Sequence, residues 1–355
     1  MRYSKSSSIN RQVTSAFLIA LLITGGGSIL AFTTGELGTV AARNFGGIVG
    51  LSILLLPLQD VYAQGNIIEQ SNFQEDKKCI DQSQCINIAS NGGKHIRSEE
   101  SSILQSNDQR NENCIDNTLC SNDANNVGDI SDSVSSRFDM SNEQSNRDCS
   151  DETLCGNDAN NVGDITFSGN DRFDMSNEQS NRDCSDETLC SNDAINRGSE
   201  FSILGPSSYF EINEQSNQKC IDETQCSNQA SNDIQVKTKP FVTENIEITA
   251  NQINQQKNEE CTDESECNNM AENAASTIRS TNTNIDQNNE QSNENTSDES
   301  ESSNKAANDA DVNDNSRNDD ISQYNEQEND GCEGGSSCNN DSGNTVTMTD
   351  QDNDD

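Results

Sequence analysis

The chain reads as an all-β repeat protein, a β-solenoid or a series of β-arch units closed by C-x5-C disulfides, with large disordered parts. Three observations point there. Cysteine pairs recur with a period near 35 residues. The recurrent residues that follow each first cysteine share one parity, which is the strand signature. The two cysteines of a pair would lie about 20 Å apart on one extended strand, against the ~5.5 Å between Cα atoms that a disulfide needs, so the five residues between them must turn. Two other architectures fit the same residues: a mostly disordered string carrying small disulfide loops, and helix-based repeats.

Residues 1–63 stand apart. Arg2, Lys5 and Arg11 precede the apolar run Val13 to Ile23, and a second run, Phe45 to Leu58, follows Arg43. The second has the form of an export signal, with Pro57 and a polar end suited to cleavage after Ala63. A membrane hairpin would return the cysteines to a reducing cytosol, so the expectation is an exported chain; the alternative is a retained N-terminal membrane anchor with the repeats outside.

Composition excludes several classes. Hydrophobic residues make up 29%, aromatics 4%, and Trp is absent. Such a chain cannot build the core of an ordinary 355-residue globular protein. The formal charge is −41; the first 63 residues carry four basic and two acidic groups, which leaves −43 on the remainder. That surface repels nucleic acid, whose binding rests on Lys and Arg neutralising phosphates. Its natural counterparts are divalent cations and cationic surfaces.

The pairs are Cys79/Cys85, Cys114/Cys120, Cys149/Cys155, Cys184/Cys190, Cys220/Cys226, Cys261/Cys267 and Cys332/Cys338. Successive first cysteines are 35, 35, 35, 36, 41 and 71 residues apart, so the last gap spans two periods. The segment Asn289 to Asn304 fills it, with Thr296 and Ser302 where cysteines belong. Both are missing together, as expected if the two thiols of one unit are partners, because losing one alone would strand a reactive thiol. The chain thus has eight units over residues 64–344, seven with the pair and one, near 289–308, without. Two are near copies: Arg137 to Ala159 matches Arg172 to Ala194 except for Gly156 against Ser191. The first two units carry four extra residues between Q-S-N (Gln70 to Asn72, Gln105 to Asn107) and the first cysteine, which predicts an insertion-tolerant loop there.

Within a unit the shared parity is that of Cys149, Asp151, Thr153, Cys155, Asn157, Ala159 and Asn161. The predicted form is strand, disulfide-closed turn, strand, because Asp and Thr side chains bond nearby backbone groups and favour bends. Stacked units would form Asn, Gln, Thr and Ala ladders, with the scarce aliphatics Val162, Ile165, Ile234 and Val236 at the far edge. Like charges in register oppose that stacking. The segment Gln235 to Asn251 reads as one longer strand between units five and six. From Ser276 onward Asn, Asp, Glu and Ser dominate, which predicts disorder, and residues 345–355 read as an acidic disordered tail.

Chemistry is sparse. Zinc or iron–sulfur sites need convergent thiolates at C-x2-4-C spacing, usually with His, whereas here x5 is uniform and His95, read as an exposed loop residue, is the sole histidine. One histidine and dispersed serines assemble no nucleophile and base, so no enzyme and no resident cofactor are expected. The C-x-D-E-[ST]-x-C turns do present carboxylates at a tight bend: Asp151, Glu152, Asp186, Glu187, Asp222, Glu223, Asp263 and Glu264. Calcium takes several oxygens at once, so a weak calcium site per turn is the metal candidate, although the EF-hand spacing is absent. Asn295-Thr-Ser and Asn340-Asp-Ser are N-glycosylation sequons.

On its Q-S-N, C-x5-C and N-x-A elements, residues 66 to 344 or so, the chain resembles secreted Asn/Gln/Ser-rich proteins with recurrent cysteine pairs from ammonia-oxidising archaea, a resemblance that carries over no activity. A fainter likeness is to curlin repeats, whose N-x-A is similar to that in CSNQASN at Cys226 to Asn232; the disulfide and the acidity depart from that pattern. The expected function is an exported, non-enzymatic structural or interaction component of the cell surface or extracellular space, with self-association or cell-envelope components as partners. The alternative is an extracellular calcium-binding protein with acidic disulfide loops.

Overall fold

Buried amides, rather than hydrophobic side chains, organise most of this molecule. The computed structural model describes residues 50–55, 59–61, 66–203, 205–238, 246–278, 280, 282–314 and 318–350. Ala63 and residues 1–49 lie outside them, so the cleavage point and the first part of the export signal fall outside the described residues. In chain order the strands are β1 (Gly50–Leu55), β2 (Gln59–Val61), β3 (Asn66–Cys79), β4 (Gln84–Cys114), β5 (Leu119–Asn146), β6 (Leu154–Thr166), β7 (Asp171–Asn181) and β8 (Leu189–Ile203). They continue as β9 (Ser207–Gln218), β10 (Gln225–Thr238), β11 (Glu247–Glu259), β12 (Glu266–Ile278), β13 (Asn282–Glu294), β14 (Glu301–Asp314), β15 (Asn318–Asn329) and β16 (Ser337–Asp350).

The fold is a parallel β-solenoid of about eight turns. Each coil has a lead-in arm, a disulfide-closed arch, and a lead-out arm, and each arm pairs in parallel with the arm one period away. Cys120 aligns with Cys155, Cys155 with Cys190 and Cys190 with Cys226. Strands β4 and β5 run through a corner, so each serves as the lead-out arm of one coil and the lead-in arm of the next, and all sixteen strands join one hydrogen-bonded network. Burial alternates along the arms of the inner coils, as in β6, where Cys155, Asn157, Ala159, Asn161, Gly163 and Ile165 face inward. Strands β1 and β2, within residues 1–63, lie beside the first half of β4.

The interior has two parts. Next to the arches it is filled by Asn and Gln. Toward the opposite corner lies an apolar cluster that includes Ile103, Ile130, Phe138, Ile165, Phe173, Tyr209, Ile234 and Ile285. Phe173 stacks on Tyr209 with centroids 4.7 Å apart and lies 5.1 Å from Phe138. A glycine column, Gly128, Gly163 and Gly198, faces these rings. A Cβ at Gly128 would sit 2.2 Å from Phe138 Cε1.

Several expectations are corrected. Q-S-N at Gln70 to Asn72 aligns through Gln105 to Asn107 with Met140 to Asn142, not with the later Q-S-N at 144–146. The first two units therefore hold no insertion; Gln74 and Gln109 continue the Gln144 column. Val162 points outward, whereas Ile165, Ile234 and Val236 are buried. Residues 235–251 are not one strand: β10 ends at Thr238 and β11 begins at Glu247, on facing sheets. The segment after Ser276 is ordered as β13 to β16, and β16 carries the tail in register with β14 as far as Asp350. These arms keep the amide columns, and the columns satisfy the buried groups that composition alone reads as a reason for disorder.

Candidate functional site

Each arch is built by its own motif. The seven disulfides join the cysteines within each unit, at Cα separations from 5.9 Å (Cys79–Cys85) to 6.4 Å (Cys332–Cys338). Asp151 and Glu152 both take left-handed φ, +59° and +56°, as do Asp186 with Glu187, Asp222 with Glu223, and Asp263 with Glu264. Left-handed backbone costs a non-glycine residue about 1–2 kcal/mol, and two compensations are visible. The Glu N–H donates to the Asp carbonyl of the next arch, as in Glu152 to Asp186 at 2.9 Å. The buried Thr153 hydroxyl donates back to the Ser150 carbonyl at 2.5 Å, and Thr188 and Thr224 repeat the bond. In the last arch Gly334 and Gly335 take the left-handed places.

All eight acidic candidates therefore stand in one exposed column along the arch edge, extended by Asp298 and Glu299, and they line a shallow groove. Among the described residues, the groups of three that bring one ligand atom each to within 4.8 Å are cysteine sets, such as Cys79, Cys114 and Cys120. Those sulfurs are held in disulfides. The acidic column is a linear run of charge in which no carboxylate trio converges.

Inside the arches four asparagine columns run along the stack, three from the first coil and the fourth from Asn111, which pairs with Asp76 of the first coil. One passes through Asn122, Asn157, Asn192 and Asn228 with each Nδ2 donating to the next Oδ1 at 2.8 Å. Each amide also crosses to the facing arm, as Asn157 does to the Ser180 carbonyl at 3.1 Å. The glutamine columns run the other way: Gln144 donates to Gln109, and Gln179 to Gln144. Asparagine thus donates toward the C-terminal coil and glutamine toward the N-terminal one. At the N-terminal end the Asn72 and Asn87 Oδ1 atoms are buried without a partner. At the other end the Asn340 and Asn344 Oδ1 atoms accept from Asn304 and Asn308, while their Nδ2 groups donate only across, to the carbonyls of Gln327 and Gln323 at 3.3 Å.

Sequence reasoning misplaced or missed several buried titratable groups. His95 is fully buried on the lead-out arm of the first coil, and burial lowers its pKa. Glu200 and Glu211 are also buried. Desolvation pushes both carboxyls well above the usual range, with Asp171 adding to the effect at Glu200. Glu200 accepts hydrogen bonds from Ser207 and Tyr209, and Glu211 accepts one from Gln252. Both lie in register with inward residues, Glu200 with Ile165 and Glu211 with Met175, but nothing local marks an outward from an inward glutamate. Of the two sequons, Asn295 is exposed in the cysteine-free arch, whereas the Asn340 amide is held in a column. Comparison with known protein families, curated proteins and solved structures finds no match.

Proposed function

We propose that the chain is an exported, non-enzymatic structural component of the cell surface or extracellular space that works by stacking end to end on further copies or on envelope components. The supporting observation is the polarity of the amide columns. One end offers the asparagine acceptor Asn72, joined by Asn87 once β1, which pairs over it, is removed. The other offers asparagine donors, Asn340 and Asn344, so two copies complement each other head to tail, a contact that does not close. At about 4.8 Å per coil, eight coils rise only ~38 Å; a single copy is a block, and an extended element needs several. Seven disulfides belong in an oxidising compartment. Export with cleavage after Ala63 would remove β1 and β2 and leave the first half of β4 as an open edge.

The test is electron microscopy and sedimentation of the mature chain across protein concentration and salt. Long particles with a 4.7–4.8 Å repeat are expected from the wild type, and single blocks from Asn340→Pro with Asn344→Pro, which removes the donors of the last coil. A wild type that stays monomeric at high concentration in molar salt sinks the reading.

The acidic column favours a second reading, an extracellular calcium binder. Its turns are ordered by their own backbone ladder, so binding would screen charge rather than fold the arch. Calorimetry separates the two: heat with calcium beyond that of sodium chloride at matched ionic strength supports the second.

A further inference from the structure

The disulfides form two populations. The twelve cysteines of the first six pairs are at most 5% exposed and pack on one another as a single column. Sulfurs of neighbouring rungs come within 4.8 Å in threes: Cys114 with Cys149 and Cys155, Cys149 with Cys184 and Cys190, Cys267 with Cys220 and Cys226. The seventh pair, joined in the same way, differs in its exposure and in its arch. Cys332 is exposed and Cys338 half-buried. Their arch holds Gly334 and Gly335 where the others hold side chains.

Between the two populations lies the rung without cysteines. Ser302 aligns with Cys267 on one side and with Cys338 on the other. Thr296 and Ser302 are buried, and the Thr296 amide donates to the Asp330 carbonyl at 3.0 Å, so this rung fills its place in the stack. Two strand spacings, about 9.6 Å, therefore separate Cys338 from the nearest rung of the column. A hydroxyl neither accepts nor passes on a disulfide.

We propose that Cys332–Cys338 is a thiol-exchange site for low-molecular-weight thiols, and that the Thr296/Ser302 rung insulates it from the buried column. A small thiolate attacks the exposed Cys332 sulfur; the Cys332–Cys338 bond breaks, a mixed disulfide forms at Cys332, and Cys338 leaves as a thiolate. That thiolate has no neighbouring rung to attack, so exchange ends there. A second equivalent of the small thiol attacks the mixed disulfide, departs as its own symmetrical disulfide and leaves Cys332 reduced. A thiolate released inside the column would instead lie against the next disulfide and shuffle it. The insulating rung allows the end of the stack to be modified or reduced while the six inner rungs keep their pairing. This inference does not rest on end-to-end stacking, and it is tested in dilute protein where both ends are free.

The experiment is a graded glutathione titration of the oxidised mature chain, quenched by alkylation and resolved by mass spectrometry of a non-reduced digest. Cys332 and Cys338 should be alkylated or glutathionylated at a thiol concentration at least roughly tenfold lower than any inner cysteine, with an unchanged circular dichroism spectrum. In Thr296→Cys with Ser302→Cys the column becomes continuous, and partial reduction should give links between position 302 and Cys338 or Cys267. Thr296→Val with Ser302→Ala, which keeps the insulation without hydroxyls, should behave as wild type. Seven pairs opening together, an inner pair opening first, or no inter-coil link in the double-cysteine variant would each overturn the proposal.

Discussion

At the residue scale, the glycine column decides how the apolar half packs. Gly128 and Gly163 leave room for Phe138, Met140, Phe173 and Met175, and a Cβ at Gly128 would meet both Phe138 (2.2 Å) and Met140 (2.7 Å). Overpacking of that kind costs about 1–3 kcal/mol. Gly128→Ala is therefore expected to lower the melting temperature, whereas Gly156→Ala, whose Cβ would meet only the Ser191 hydroxyl at 3.6 Å, should leave it nearly unchanged; equal effects in thermal denaturation would refute the packing account. The inward position of Gly128 follows from its parity with Asn122 and Ala124. Its role does not, because only the facing arm shows that a ring occupies the space.

At the element scale, the coil carrying β8 and β9 departs from its neighbours. Glu200 stands in the column of Ile130 and Ile165, and Glu211 in that of Met140 and Met175. Both carboxyls have folded pKa values above their unfolded ones, because burial penalises the charged form. The folded state then binds more protons than the unfolded state, so this contribution is full below the unfolded pKa and is lost as pH rises through the folded one. Asp76 and Asp158, each pushed up to about 6 by desolvation, act with the same sign between the ordinary carboxylate range and that value. Melting temperature is expected to fall from pH 5 to pH 8, and Glu200→Gln with Glu211→Gln should flatten the slope. A wild type that gains stability over that interval contradicts the assignment. Strand parity and the turn at each cysteine pair were legible from spacing alone. The register of Gln70 to Asn72 was not, because a Q-S-N triplet can sit at two places along the same polar arm and only the neighbouring arm selects one.

At the scale of the whole molecule, the chain carries a net charge of −41, and the described coils stack acidic side chains in register along the arch edge. Adjacent unit charges ~4 Å apart repel by about 1 kcal/mol in water, and some of this is offset by pairs such as Lys94–Asp129 at 2.7 Å and Lys257–Glu294 at 2.8 Å. Most carboxylates on the arch edge have no such neighbour in their column. Raising salt from ~0.01 M to ~1 M shortens the screening length from about 30 Å to about 3 Å. Thermal stability should therefore rise with sodium chloride, and a flat or falling salt dependence would show that repulsion between coils is not the main opposing force.

What the amino-acid order determined by itself is the period, the alternation of faces and the pairing of cysteines within a unit: the first two rest on spacing along one chain, the third on the joint loss of both cysteines at Thr296 and Ser302, and the turn follows because a bridged pair six residues apart cannot stay extended. What the tertiary structure decided is whether polar arms become ordered. An Asn or Gln facing inward is unfavourable in one coil and satisfied in a stack, where its amide bonds to the coils on either side and to the facing arm. That cooperation between chain segments 35 residues apart has no local signal. It is why the places of His95, Val162 and residues 345–350 follow only from the neighbouring coils.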